Sequence, residues 1–163
     1  MDPVGLSGSD GGTFTGVPLA AGAAGTRTGE ITNIDARLLT LLLANGYLPV
    51  LCSSSTDAEG LGLNINADTA AFRLAAHLAA AALVFLSDIP GILSDGSVLQ
   101  AVSGAEAKEL IARGVIAGGM VPKVLASLDA MEHGVKKVII GQYEGAGSLA
   151  RLLDGKQGTR LWQ

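Results

Sequence analysis

Asn64-Ile65-Asn66-Ala67-Asp68-Thr69-Ala70-Ala71 closes a Gly-containing loop and opens a long Ala/Leu stretch. Two amides and a carboxylate therefore meet at a helix start. Unpaired backbone N–H groups and the helix dipole favour negative charge at such a position. As a local feature the cluster reads equally as a cap. A second signal lies downstream in Gly118-Gly119-Met120-Val121-Pro122-Lys123, which sets a lone lysine just inside another helix start. There a lysine opposes the dipole, while the glycine pair lets a ligand approach the backbone closely. Together the two starts point to a site that handles anionic groups.

Working outward, helix and strand patterns alternate from Thr32 onward. Thr32 or Asn33 is placed to cap a helix over 34–44, stopped by Asn45-Gly46. Tyr47 to Cys52 reads as a buried strand, although Pro49 cannot donate to a ladder. The polar loop 53–63 accommodates a small hairpin. A helix is predicted from Asn66 to about Ala81, then a buried apolar strand at 83–86 and a turn at Ser87-Asp88-Ile89-Pro90-Gly91. Ser103-Gly104-Ala105-Glu106 is a capping box for a helix ending near Arg113. Pro122 suits the first turn of a helix over 120–133. A strand at 137–140, a short helix at 148–153 and a strand at 158–162 complete the pattern. Residues 1–31 are Gly-rich and hairpin-like, with Asp10-Gly11-Gly12 as a turn. Continuous apolar strands between helices imply an α/β fold, a three-layer αβα sandwich around a mainly parallel sheet. Ligands bind at the carboxyl ends of such strands, where Ser53, Ser87-Asp88 and Gly141 fall.

Composition narrows the function classes. The 163 residues are 48% hydrophobic and 16% charged, which supports a core and argues against disorder. A net charge of −4, with Lys136-Lys137 as the one basic pair, disfavours nucleic-acid binding. The apolar run 74–86 is broken by His77 and too short to span a bilayer. The single Cys52 cannot form an internal disulfide and reads as a small buried hydrophobe. Without a signal peptide pattern, a reducing cytoplasm is the expected compartment. His77 reads as a structural mid-helix residue and His133 as a cation at a helix C-terminus. With two isolated histidines and one cysteine, no transition-metal site is expected. Gly5, Gly8, Gly11 and Gly12 lack the strand–turn–helix context of a dinucleotide fingerprint, and no Walker A sequence is present.

In order along the chain, Val4-Gly5-Leu6-Ser7-Gly8, Gly29-Glu30-Ile31, Leu43 to Val50, Asn64 to Ala71, Leu86 to Leu93, Gly118 to Val124 and Gly158-Thr159 together resemble the amino-acid kinase superfamily. Within it they are similar to the N-acetylglutamate kinase family, and the Asn-Ala-Asp and Gly-Gly-Met-x-Pro-Lys pieces are the most specific. The resemblance implies ATP-dependent phosphorylation of the γ-carboxylate of N-acetylglutamate, with Mg2+ bound through the nucleotide. It implies Lys123 and Asp68 as catalytic residues, the first neutralising the transferring phosphoryl group and the second orienting lysines. Asn64 and Asn66 would contact the amino-acid substrate. Ser87, Asp88, Pro90, Gly91, Ile92, Leu93, Val115, Ile116, Ala117, Gly119 and Met120 would line the nucleotide pocket. Phosphoryl transfer needs positioning and charge neutralisation more than covalent catalysis, and these residue types suit it.

The resemblance covers the later part of the family's sequence. The family's phosphate-binding lysine strand, its glycine pair and its carboxylate-gripping arginine are not found among these residues. The expectation is an N-terminally truncated fold, with 1–31 a remnant of the amino-acid-substrate lobe and 32–163 the nucleotide-binding lobe. Little or no turnover is expected of this chain by itself. Apolar sheet surface is expected to be exposed, with a homo-oligomer or a complementing N-terminal half as partner. A nucleotide-binding module without catalysis is the reading from another class. A sister kinase acting on carrier-linked aminoadipate, or a glutamate 5-kinase, is the reading within the superfamily.

Overall fold

The computed structural model describes residues 1–19 and 27–162. The elements in chain order are β1 (Asp2–Ser7), β2 (Phe14–Pro18), β3 (Thr28–Ile34), α1 (Arg37–Ala44), β4 (Tyr47–Cys52), β5 (Ser54–Thr56), β6 (Gly62–Ile65) and α2 (Ala67–His77). There follow β7 (Leu83–Ser87), β8 (Leu93–Ser94), β9 (Ser97–Val98), β10 (Ala101–Ser103), α3 (Gly104–Ala112), α4 (Met120–Glu132), β11 (Val138–Gln142), α5 (Ser148–Leu153) and β12 (Thr159–Trp162). The chain divides into two compact units, Met1–Ala70 and Ala71–Gln163, and the boundary falls inside α2.

In the first unit β1 runs parallel to β4 from Asp2↔Tyr47 to Ser7↔Cys52. The hairpin expected in 1–31 is therefore only partly present. β2 and β3 pair antiparallel, but β1 pairs far along the chain, and the part of the expected hairpin at 20–26 lies outside the described residues. Strands β2, β3, β6 and β5 close on one another in a ring around Phe14, Ile31, Leu63 and Ile65. The buried Asp57 carboxylate holds the turn before β6. Its Oδ1 accepts the N–H groups of Glu59 and Leu61 at 3.1 and 2.8 Å, and Arg27 donates to its Oδ2. A buried charge with this many donors is compensated, as it must be.

Three expectations are corrected here. Thr32 and Asn33 do not cap α1, because pairing with β2 draws them into β3. The helix begins at Arg37, whose N–H donates to Asp35 Oδ1 at 3.1 Å. Strand β4 is not buried: it has β1 as its one strand partner, and Leu48 and Val50 on one face are 47% and 53% exposed. A strand with a single partner tolerates Pro49, which explains why the proline does not abolish it. Cys52 is exposed, not buried, because it ends this half-covered strand.

The second unit is built on a four-stranded sheet in the order β10-β12-β11-β7. β7 runs parallel to β11 and β10 parallel to β12, while β11 and β12 are antiparallel. The sheet is thus mainly parallel with one reversed contact. Val138 and Ile140 join Phe85, Val124 and Leu128 in one buried cluster on the α4 face. A Cβ on Gly141 would lie 2.4 Å from Leu152, so the alternate positions of β11 face α5. Helices consequently cover both faces of β11, the layering expected. Strand β7 was expected to be buried throughout. It is an edge strand here, so Phe85 is 5% exposed while Leu86 is 54% exposed.

Helix α2 stops at His77 instead of about Ala81. Ala79 adopts a left-handed φ of 47°, and its N–H and that of Ala80 return to Ala76 and Ala75 carbonyls at 3.0 and 2.9 Å. That is a Schellman ending made without glycine, so an all-alanine run hides it. His77 is therefore an exposed C-terminal residue and not a mid-helix one. The capping box at Ser103 and Glu106 forms as expected, and α4 spans nearly the predicted range.

Ile92 and Thr159, both buried, join distant segments: the Ile92 N–H donates to Thr159 Oγ1 at 2.8 Å. Thr159→Val keeps the shape and orphans that buried N–H. It should cost about 1–3 kcal/mol, read as a fall in urea midpoint with an unchanged m-value.

Candidate active site

In the first unit the Asn64–Asp68 cluster forms by local rules. Asn64 lies on β6, register-paired with Thr28 on one side and Ser54 on the other. Its backbone N–H donates to the Arg27 carbonyl at 2.7 Å, and its side chain is on an exposed residue. Asn66 is the N-cap of α2: its Oδ1 accepts the Thr69 N–H at 3.0 Å, and its carbonyl accepts the Ala70 N–H at 2.9 Å. Asp68, half-buried in the first turn, adds the acidic charge that the dipole favours. The cluster thus presents one carboxylate and one exposed amide beside a helix start already capped by the second amide.

At the neighbouring strand ends of the same unit, hydroxyls form a short relay to Cys52. The Ser9 N–H donates to Ser7 Oγ at 3.1 Å, Ser7 Oγ is 2.8 Å from Ser54 Oγ, and Ser54 Oγ is 3.2 Å from Cys52 Sγ. The hydrogen bond from Ser54 holds the Cys52 thiol below its ordinary pKa, against a smaller opposing effect of desolvation.

In the second unit Lys123 occupies the first turn of α4 and is half-buried. Its Nζ stands 5.0 Å from the centroid of the Phe85 ring on β7. A ring face under an ammonium group is attractive and restrains its position. The helix begins at Gly119 with no side-chain cap, and a Cβ on Gly118 or Gly119 would meet nothing within 4 Å. The α4 start is therefore sterically unobstructed at those glycines, while its Met120 and Val121 N–H groups donate to the Ala117 and Gly118 carbonyls at 3.3 and 3.2 Å. Ser87 ends β7, and its hydroxyl donates to Asp88 Oδ1 at 3.1 Å. Of the segment that follows, Gly91 and Ile92 are buried and anchored on Thr159, while Asp88 and Leu93 are exposed. Gly91 is required there, since a Cβ would lie 2.7 Å from Thr159 Oγ1. Val115 to Gly119 lies in the α3–α4 connection, with Ile116 buried and Ala117 and Gly119 exposed, and Met120 opens α4.

The sequence had no signal for Phe85 as a platform beneath Lys123, because an apolar strand residue looks the same whether it fills a core or carries a cation. Pro90 lines a cleft of about 220 Å³ with Val98, Gln100 and 155–158. That is below the ~300 Å³ at which ordinary small-molecule pockets begin, so the cleft cannot enclose a nucleotide.

The model of the amino acid kinase family matches residues 1–142. The chain belongs to the amino acid kinase family. Among its relatives, the acetylglutamate kinase of Chloroflexus aurantiacus is 45% identical over 160 residues, covering 97% of this chain and 60% of the relative. That of Nostoc sp. is 42% identical over 164 residues, covering 97% and 55%. A solved structure of N-acetylglutamate synthase from Neisseria gonorrhoeae, complexed with coenzyme A and N-acetyl-glutamate, is similar with a TM-score of 0.83. It is 26% identical, and the match covers 97% of this chain and 37% of that one. This amino acid kinase family member thus spans 60% and 55% of the lengths of the two kinases it matches.

Two outcomes test the local chemistry of the family member's first unit. Asn66→Ala removes the α2 cap and should cost about 1 kcal/mol of stability, measured by denaturant unfolding. Ser54→Ala should raise the Cys52 pKa and slow its alkylation by iodoacetamide at neutral pH, read from the rate as a function of pH.

Proposed function

We propose that the chain carries the nucleotide-handling part of an acetylglutamate kinase, which phosphorylates the γ-carboxylate of N-acetyl-L-glutamate with ATP in arginine biosynthesis. The observation that carries this reading is Lys123, held over Phe85 at the open start of α4, on the face of β7 that leads to Ser87. Lys123 neutralises charge on the transferring phosphoryl group, and the dipole at the start of α4 adds to the attraction for phosphate. Asp68 orients the cationic groups of the centre. Asn64, with Asn66 beside it, holds the carboxylate of the amino-acid substrate. Ser87, Asp88, Pro90, Gly91, Ile92, Leu93, Val115, Ile116, Ala117, Gly119 and Met120 form the walls around the nucleotide.

Among the described residues no three His, Cys, Asp or Glu side chains cluster as a metal site. In this reading Mg2+ arrives on the phosphates of ATP and adds charge neutralisation there. No helix among the described residues is long and apolar enough to cross a membrane. The lobe assignment follows the family reading: 1–31 belongs with the amino-acid substrate and 32–163 with the nucleotide. The exposed Leu48 and Val50 face suits association with a second copy or with a complementing N-terminal half.

The test is ATP titration of the chain, followed by a coupled assay for ADP release with N-acetylglutamate. The expected result is ATP binding with little turnover by the chain alone. Turnover should appear when the N-terminal part of the Chloroflexus relative is added. Lys123→Ala should weaken ATP binding by about tenfold or more, the loss of one charge-assisted contact, and abolish that turnover. ATP binding with no turnover in the complemented mixture would move the chain to a non-catalytic nucleotide-binding module. Absence of ATP binding would overturn both readings.

A further inference from the structure

Gln142 ends β11, and it is register-paired with Ser87, the last residue of the parallel strand β7. Both strands stop at the same edge, so the two side chains leave the sheet about 5 Å apart. Alternation fixes their direction. Ile140 and Phe85 face α4 within the buried cluster, so Gln142 and Ser87, two residues further along, face the same way. Lys123 stands over Phe85 on that face. Gln142 and Ser87 therefore lie one strand step, about 7 Å, beyond the ring that carries the ammonium group.

The Gln142 backbone is committed and its side chain is not. Its carbonyl accepts Gln157 Nε2 at 2.9 Å, whereas among the described residues its carboxamide makes no hydrogen bond. The residue is half-buried. Its carboxamide atoms are solvent-accessible, and they face the side on which the nucleotide reading places its ligand. We propose that Gln142 contacts the sugar of the bound nucleotide, its carboxamide hydrogen-bonding the ribose hydroxyls beside Ser87. The inference rests on the nucleotide reading above and names a residue that reading does not include.

Chemistry selects the sugar over the phosphates. A carboxamide offers donors and an acceptor together, which matches a pair of hydroxyls. Phosphate oxygens only accept, so they would leave Oε1 facing negative charge. Lys123 already supplies the cation for phosphate, and the offset of one strand step matches the run from the phosphate chain to the sugar.

The test compares Mg-ATP, Mg-2′,3′-dideoxy-ATP and inorganic tripolyphosphate as ligands of the 163-residue chain. The wild type should prefer ATP to the dideoxy analogue by about five- to tenfold, the size of a net hydrogen bond or two. Gln142→Ala should erase that preference, weaken ATP by a similar factor and leave tripolyphosphate within about twofold. Gln142→Met, which fills the same space without polar atoms, should behave the same way, with melting curves confirming the fold of both variants. Wild-type ATP affinity in the variants, a surviving preference for ATP over the analogue, or a parallel loss of tripolyphosphate overturns the sugar contact while leaving the nucleotide reading standing. A wild type that binds neither ATP nor tripolyphosphate overturns the nucleotide reading and this contact with it.

Discussion

Burial of β11 from both faces is the constraint on which the second unit depends. Val138, Ile139, Ile140 and Gly141 are all buried, and strands flank β11 on both sides. Such a strand must be apolar throughout and cannot shift register without losing its whole core. The close approach of α5 and the turn before β12 adds a steric condition. A Cβ at Gly141 would strike Leu152, and one at Gly158, which has a φ of +80°, would lie 2.7 Å from the Ile140 carbonyl. Two glycines thus let helix and turn settle onto the strand.

The candidate chemistry follows from this packing. Because β11 is fixed, β7 is fixed beside it, and Phe85 points toward α4. Lys123 then finds a ring face beneath it in place of open solvent. The first turn of α4 has no side-chain cap and nothing crowds Gly118 or Gly119 before it. Cation, open helix start and polar strand ends are thus consequences of one buried strand pair. In the first unit the corresponding local device is Asn66, which spends its carbonyl oxygens on the start of α2 and leaves Asp68 to carry the charge.

Amino acid kinase family membership and the local structure around the candidate site residues are legible where short-range rules act. The capping box at Ser103, the α4 start and the Asn66 cap depend on residues three or four positions apart, and each formed as read. The misreadings were of another kind. The apolar strand β4 looked like a core strand, yet it has a single partner and stands half exposed. Thr32 and Asn33 have good capping side chains, but pairing with β2 outweighed that local preference. The end of α2 escaped notice because Ala79 adopts a conformation usually left to glycine.

The sequence by itself determined the α/β alternation, most helix limits, the family and the helix starts that carry the candidate residues. All of these rest on periodicity, capping and short motifs, whose energies are local. Only the tertiary structure decided which strands are edges, that β11 and β12 run antiparallel, that Phe85 lies under Lys123 and that Cys52 is exposed. Those outcomes depend on which distant segment occupies each face of a strand. Composition and spacing carry no record of that choice, because an apolar side chain gains from any partner that excludes water.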